Sequence, residues 1–272
     1  GYAGVEALAE MESLVRDALR WYPNLRRSDT RWVIVEAQDR LLPGLDPKLA
    51  EYTARVLRRR GIEVHLHTRL LGCVDRHVVL SNGTEYTSDT IVWTVGQRSS
   101  PLAAETGFPL DDRGRVIVDD HLRVAGVPDA YALGDSAAVP DPEGGTCPPT
   151  AQHALRQGLR CGRNVAADHG AGRAAPFTYR NRGLAVTLGR GEGTAQVRRF
   201  TFTGWAAWWM GRSYHLVMTP GLGRKARIVG DWTLGLLFPR DIAQLGSLGK
   251  PSPLDPPVQS AEEGSHRPNG AE

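Results

Sequence analysis

Apolar positions recur with a helical rhythm at the start of the chain. Val5, Leu8, Ala9, Leu14, Val15, Ala18 and Leu19 predict a helix that stops at Pro23-Asn24. RWVIVEAQ then reads as a short apolar strand ending in Glu36. A second helix runs from Asp46 to Arg60, with Asp46 as N-cap, Pro47 at the first position and Gly61 as the stop. EVHLHT (63–68) predicts a strand with His65 and His67 on one face. HVVLS and EYT flank Asn82-Gly83, a strong hairpin signal, and TIVWTVG (90–96) reads as a buried strand ending in Gly96. RVIV (115–118) and DAYAL (129–133) are further strands, the second ending in Gly134-Asp135. A Pro/Gly-rich loop over 139–149 leads into a helix, PTAQHALRQGLRCGRNVAADHG. This alternation predicts an α/β protein with parallel pairing.

Composition adds limits. The chain has 272 residues, 41% apolar and 23% charged, and no apolar run approaches the ~20 residues of a bilayer span. Cys73, Cys147 and Cys161 form no CxxC pair, so neither a disulfide scaffold nor a metal site is expected. The net charge of +3 is uneven: seven bases and one acid lie within 198–240, together with Trp205, Trp208, Trp209 and Trp232. Tryptophan and arginine beside apolar stretches suit the surface of a membrane. The alternative is that these rings pack inward, with turns at Asp231-Trp232. No recognised nucleic-acid motif accompanies the basic run. Residues 251–272, rich in Pro, Ser, Glu and Gly, are expected to be disordered.

Two turns carry candidate chemistry. Gly1-x-x-Gly4 opening a helix, followed by a strand and Glu36, fits the second half of a dinucleotide-binding turn. Gly1 would admit the pyrophosphate and Gly4 would let helix and strand pack closely. Glu36 would accept the ribose hydroxyls and repel a 2′-phosphate, favouring NADH over NADPH. Gly134-Asp135, then a loop, then a helix with a small polar first turn suits a flavin. The acid would bind a ribitol hydroxyl, and the helix N-terminus would face the ring edge that gains negative charge on reduction.

GYAGVE, VIVEAQDRLLP, TIVWTVG, YALGDSA, PPTAQHALRQG and DWTLGLLFPRD, in that order, resemble the two-dinucleotide-domain flavoproteins of the pyridine nucleotide-disulfide oxidoreductase superfamily. More narrowly, they resemble the type II NADH dehydrogenases. The resemblance implies a Rossmann-like NAD(H)-binding domain over 1–98, the returning part of an FAD-binding domain over 99–170, and a C-terminal α+β extension over 171–250. It also implies a strand and a glycine ahead of Gly1, so that the chain is read as a fragment of a longer gene product. Carried over by position, Gly1, Gly4 and Glu36 match NADH contacts, Glu6 the acid near the nicotinamide, and Gly96 the adjoining turn. Gly134 and Asp135 match the FAD ribitol contact, and Ala151 and Gln152 the helix start at the flavin and quinone pocket. In the AQxAxQ motif, Arg156 stands where the second Gln belongs; it retains N–H donors for a quinone carbonyl. Gln157 follows, in a core or surface role. The implied activity is hydride transfer from NADH to FAD and electron transfer to a quinone, without proton pumping, at the cytoplasmic face of the cell membrane as a peripheral protein; a homodimer is compatible. Other acceptors (disulfide, sulfide with quinone, ferredoxin-type) and a nucleotide-binding piece without turnover are the alternatives. Cys147 is the one thiol placed for sulfide chemistry.

Overall fold

A computed structural model describes residues 1–96, 99–180 and 183–238. The chain divides into two units, Gly1–Ala226 and Arg227–Glu272. The expectation of a disordered tail over 251–272 falls outside the described residues.

The first helix, α1 (Tyr2–Ala18), buries Val5, Ala9, Glu12 and Ser13, a stripe at helical spacing. β1 (Trp32–Val35) pairs in parallel with β2 (Ile62–His65), Trp32 facing Ile62 and Val35 facing His65. The crossover between them is α2 (Pro47–Arg59), capped as expected: the Asp46 side chain accepts from Lys48 N at 2.9 Å. Leu49, Leu57 and Ile62 join Val5 and Ala9 in one core, and Val186 and Leu188 from far along the chain complete it. The strand predicted over 63–68 is shorter than expected. It ends at His65, because His67 takes a left-handed conformation (φ 49°) and its register with His65 is lost.

β3 (Leu70–Val74), β4 (His77–Leu80) and β5 (Glu85–Thr87) form an antiparallel meander. The Asn82-Gly83 turn joins its last two strands, as expected. Its first strand was not legible: the Asp75-Arg76 turn uses two positive-φ residues that are neither Gly nor Asn.

Residues 90–96 depart from the sequence reading. No described strand pairs with them, and Ile91, Val92, Trp93 and Val95 are exposed. An apolar run is a buried strand only when neighbours cover it, and the β1–β2 pair does not. DAYAL likewise makes a single bridge, Arg123 to Tyr131, instead of a ladder. The short parallel pair here is β6 (Val116–Ile117) with β7 (Ala137–Ala138). Around it lies a second core that includes Val116, Val118, Leu122, Val139 and Phe177. The helix α4 (Ala151–Asp168) covers this region, its first turn capped by Thr150; α3 (Leu102–Glu105) is a single turn.

β8 (Gly183–Thr187), β9 (Gly193–Val197) and β10 (Phe200–Thr203) make an antiparallel sheet. α5 (Gly204–Met218) lies on it and approaches closely because two glycines permit it. A Cβ on Gly193 would meet Trp208 N at 2.9 Å, and one on Gly211 would touch Ala185 Cβ at 3.5 Å. Trp208 is therefore buried, whereas Trp205 is 63% exposed. α6 (Leu222–Leu237) is one continuous helix through Asp231-Trp232, where turns were expected, and it buries no residue. No helix among the described residues is long and apolar enough to cross a membrane.

Candidate functional site: two glycine turns and a shared strand

The first turn is built at the head of α1. Glu36, one residue beyond β1, accepts from Gly1 N at 2.7 Å and from Gln38 N at 3.1 Å. The acid thus stands beside the first glycine, although 35 residues separate them. A Cβ on Gly4 would meet Thr94 Oγ1 at 2.7 Å, so the absence of a side chain lets segment 90–96 cross the helix at this point. Gly96 ends that segment with φ 70°, a left-handed conformation that glycine adopts without strain. Glu6, one turn further along α1, accepts from Thr187 N at 2.9 Å and from Thr187 Oγ1 at 3.4 Å.

The second turn is Gly134-Asp135-Ser136, a single 3-10 turn. Gly134 has φ 68°, and its N–H donates to Gln157 Oε1 at 2.7 Å. Gln157 is 1% exposed and also reaches the Cys147 thiol. Asp135 is exposed on the same turn. Ala151 and Gln152 open α4, and N–H groups of a first helical turn have no acceptor within their own helix. Gln152 accepts from Tyr179 OH at 2.6 Å and donates to Gly183 O at 3.4 Å. Arg156 donates to Gln152 O at 2.8 Å and lies over the Tyr179 ring, 4.2 Å from its centroid. His153 is buried, bonded to Thr150 Oγ1 at 2.7 Å, and burial pushes its pKa below the usual imidazole value. Burial pushes the Cys147 thiol up, which makes it a poor nucleophile.

The two turns meet through β8. Its last residue, Thr187, serves Glu6, and its first, Gly183, serves Gln152. Five strand residues span ~13 Å between those contacts. The structure therefore brings Glu36 to Gly1, Thr94 to Gly4 and Gln157 to Gly134, sets Arg156 on Gln152 O, and joins Glu6 to Gln152 through β8.

Sequence reasoning missed Thr94, Tyr179 and Thr187, and it gave Gln157 a core or surface role without its bond to Gly134. For Gln157 a signal existed. The buried stripe of α4 is His153, Gln157, Cys161 and Asn164, and a polar residue in such a stripe needs a partner. Arg156 lies off that stripe, half-buried. Tyr179 and Thr187 follow the helix at no motif spacing.

A profile of the pyridine nucleotide-disulphide oxidoreductases matches residues 1–158, more than half of the chain. The chain belongs to this family. Among members and relatives, a probable NADH dehydrogenase of Dictyostelium discoideum is 29% identical over 246 residues, covering 89% of this chain and 54% of its own. A type II NADH:quinone oxidoreductase of Staphylococcus epidermidis is 32% identical over 201 residues, 72% of this chain and 50% of its own. The chain spans about half the length of the curated relatives it matches. The fold of the chain is shared with NDH2 from Plasmodium falciparum, solved in complex with NADH. That match has a TM-score of 0.80 at 14% identity, over 90% of this chain and 66% of the other.

Proposed function

We propose that the chain forms part of an FAD-dependent oxidoreductase that takes electrons from NADH and passes them to a quinone. The observation that carries this reading is the strand β8. It joins the acid of the nucleotide turn, Glu6, to the head of α4, Gln152, by main-chain contacts at the two ends of a strand ~13 Å long.

The residues present fit both groups. Gly4 lets segment 90–96 pack closely on the helix, Glu36 stands at the first glycine, and Gly134 holds the conformation that presents Asp135. Glu36 would accept the ribose hydroxyls of NADH, and its charge would repel a 2′-phosphate. Asp135 would bind a ribitol hydroxyl, and the positive end of α4 would favour added negative charge at the ring. When bound, the flavin supplies the two-electron redox chemistry. Gln152 and Arg156 would offer N–H donors to the quinone carbonyls, Arg156 taking the place of the motif's second Gln. The buried Cys147 thiol favours this reading over one that needs a reactive thiolate.

Stopped-flow absorbance of the full-length gene product tests it. NADH added anaerobically should bleach the flavin, and a short-chain quinone should restore it. Bleaching without recovery would remove the quinone half; no bleaching would remove the whole reading. Within the nucleotide turn, Gly4→Ala should raise the KM for NADH about fivefold, because the new methyl group meets Thr94 Oγ1 and overpacking costs ~1 kcal/mol at its mild end. Adding Thr94→Ala should restore the KM. A KM that stays high in the double variant would count against the contact.

We also propose peripheral association with a membrane surface, at the cytoplasmic face. α5 exposes Trp205, Val217 and Met218. α6 exposes Leu222, Val229, Leu234, Leu236 and Leu237 while carrying Arg224, Lys225 and Arg227. Rings and apolar chains beside cations suit the headgroup region. The buried Trp208 is not part of that surface. Leu234→Glu with Leu237→Glu should move the full-length protein from the membrane pellet to the soluble fraction. Retention in the pellet, with the flavin spectrum intact, would argue against the idea.

A further inference from the structure

We infer that Tyr179 is a positioning residue for the electron acceptor, setting which face of the Gln152 amide the acceptor meets; this rests on the quinone reading above. Gly183 O can only accept, so it takes a proton of Gln152 Nε2, and Oε1 is left for Tyr179 OH at 2.6 Å. With both amide ends committed in this sense, the second Nε2 proton remains a donor for a carbonyl. Without the phenol, only the 3.4 Å bond to Gly183 O opposes a half-turn of the amide, which would present an acceptor to an acceptor.

The same ring sets Arg156. The guanidinium stacks on the Tyr179 face at 4.2 Å while one of its nitrogens holds Gln152 O at 2.8 Å. His153 braces the ring from its edge, with centroids 5.0 Å apart and planes at 79°, and His153 is itself fixed by Thr150 Oγ1. One half-buried phenol thus orients the two side chains offered to the quinone. Its hydroxyl sets the amide, and its face sets the guanidinium.

The two contributions separate by substitution. Tyr179→Phe keeps the stacked ring and removes the hydroxyl. In the full-length protein, flavin bleaching by NADH should stay within about twofold. The KM for a short-chain quinone should rise roughly five- to tenfold with kcat little changed, the loss expected of one neutral hydrogen bond. Gln152→Ala should raise the quinone KM by a similar factor, and the double variant should raise it no further than either, because both remove one donor. Multiplying losses, or an unchanged KM, would overturn the assignment. Titrating the oxidised protein with the same quinone, followed by tryptophan fluorescence, should give a matching rise in Kd without turnover.

Gln152→Glu provides a test that leaves the phenol in place. The carboxylate still accepts from Tyr179 but has no proton to donate. Quinone KM should be raised throughout about pH 6–8, where a carboxyl beside the Arg156 guanidinium and the Tyr179 hydroxyl stays ionised. A Glu variant whose KM follows the unmodified protein at every pH would overturn the assignment. If the unmodified protein is bleached by NADH yet never reoxidised by quinone, the acceptor reading falls and this assignment with it. If the unmodified protein turns over and the variants behave like it, the assignment alone falls.

Discussion

Replacing Arg60 by Ala should destabilise the first unit by about 3–5 kcal/mol, the cost of leaving a buried charge without its partner. The charge is Glu12, whose side chain is 3% exposed on the inner face of α1. Arg60, at the C-terminal cap of α2, is itself only 13% exposed. Its guanidinium pairs with both the Glu12 carboxylate and the backbone: Nε reaches Glu12 Oε2 at 2.7 Å, Nη2 reaches Ala9 O at 2.6 Å, and Nη1 bonds Leu188 O. One side chain therefore joins α1, the end of α2 and the chain leaving β8. Arg16 and Arg27 also touch Glu12, but from positions 38% and 54% exposed, where water weakens their attraction. They would not replace Arg60. The check is the midpoint of urea unfolding of the full-length protein, followed by tryptophan fluorescence. Arg60→Leu combined with Glu12→Leu should cost less than Arg60→Ala alone, since no unpaired charge remains. A double variant less stable than the single one would show that Arg16 and Arg27 still pair Glu12 adequately once Arg60 is gone.

Gln157→Leu should lower flavin affinity by about 5- to 150-fold while leaving the second core folded. The side chain of similar size fills the space but offers no acceptor to Gly134 N, and an unsatisfied buried donor costs ~1–3 kcal/mol. The turn can regain a partner only by swinging Gly134 toward water, which displaces Asp135. The measurement is flavin per protein after purification, together with the Kd for FAD added back. Asp135→Ala should lose affinity without any change in stability. Full flavin content in Gln157→Leu would mean that the turn is held from elsewhere.

Much of this arrangement was legible in the residues. The helix from Tyr2, the crossover helix with its Asp46-Pro47 start, the Asn82-Gly83 hairpin and the helix after Thr150 are all set by local signals: caps, turn residues and apolar periodicity. The glycine turns were legible for the same reason, because a positive φ or a close approach selects glycine. What failed depended on distant neighbours. TIVWTVG has the composition of a central strand, but pairing and burial come from other segments, and here its apolar side chains are exposed. Trp208 and Trp205 look alike in sequence, and only the sheet beneath α5 decides that the first is buried and the second is not. Arg156 drew attention as a departure from a motif, yet the residue that reaches the glycine turn is the next one. A step of 100° around a helix turned it inward.

The contacts that β8 makes at its two ends both use its main chain, Thr187 N–H toward Glu6 and Gly183 C=O toward Gln152. The strand's side chains add to these contacts, Thr187 Oγ1 at Glu6 and Val186 in the first core, but the main-chain bonds persist through changes at its half-buried positions, provided that the length and register are kept. Gly183 is the exception, since its φ of 157° would carry a Cβ into Gln196 O. Substitution at the half-buried positions leaves the two main-chain contacts in place, whereas a one-residue insertion would exchange the faces of the strand and separate the two turns. A fold joined in this way can be retained at 14% identity to the Plasmodium falciparum enzyme.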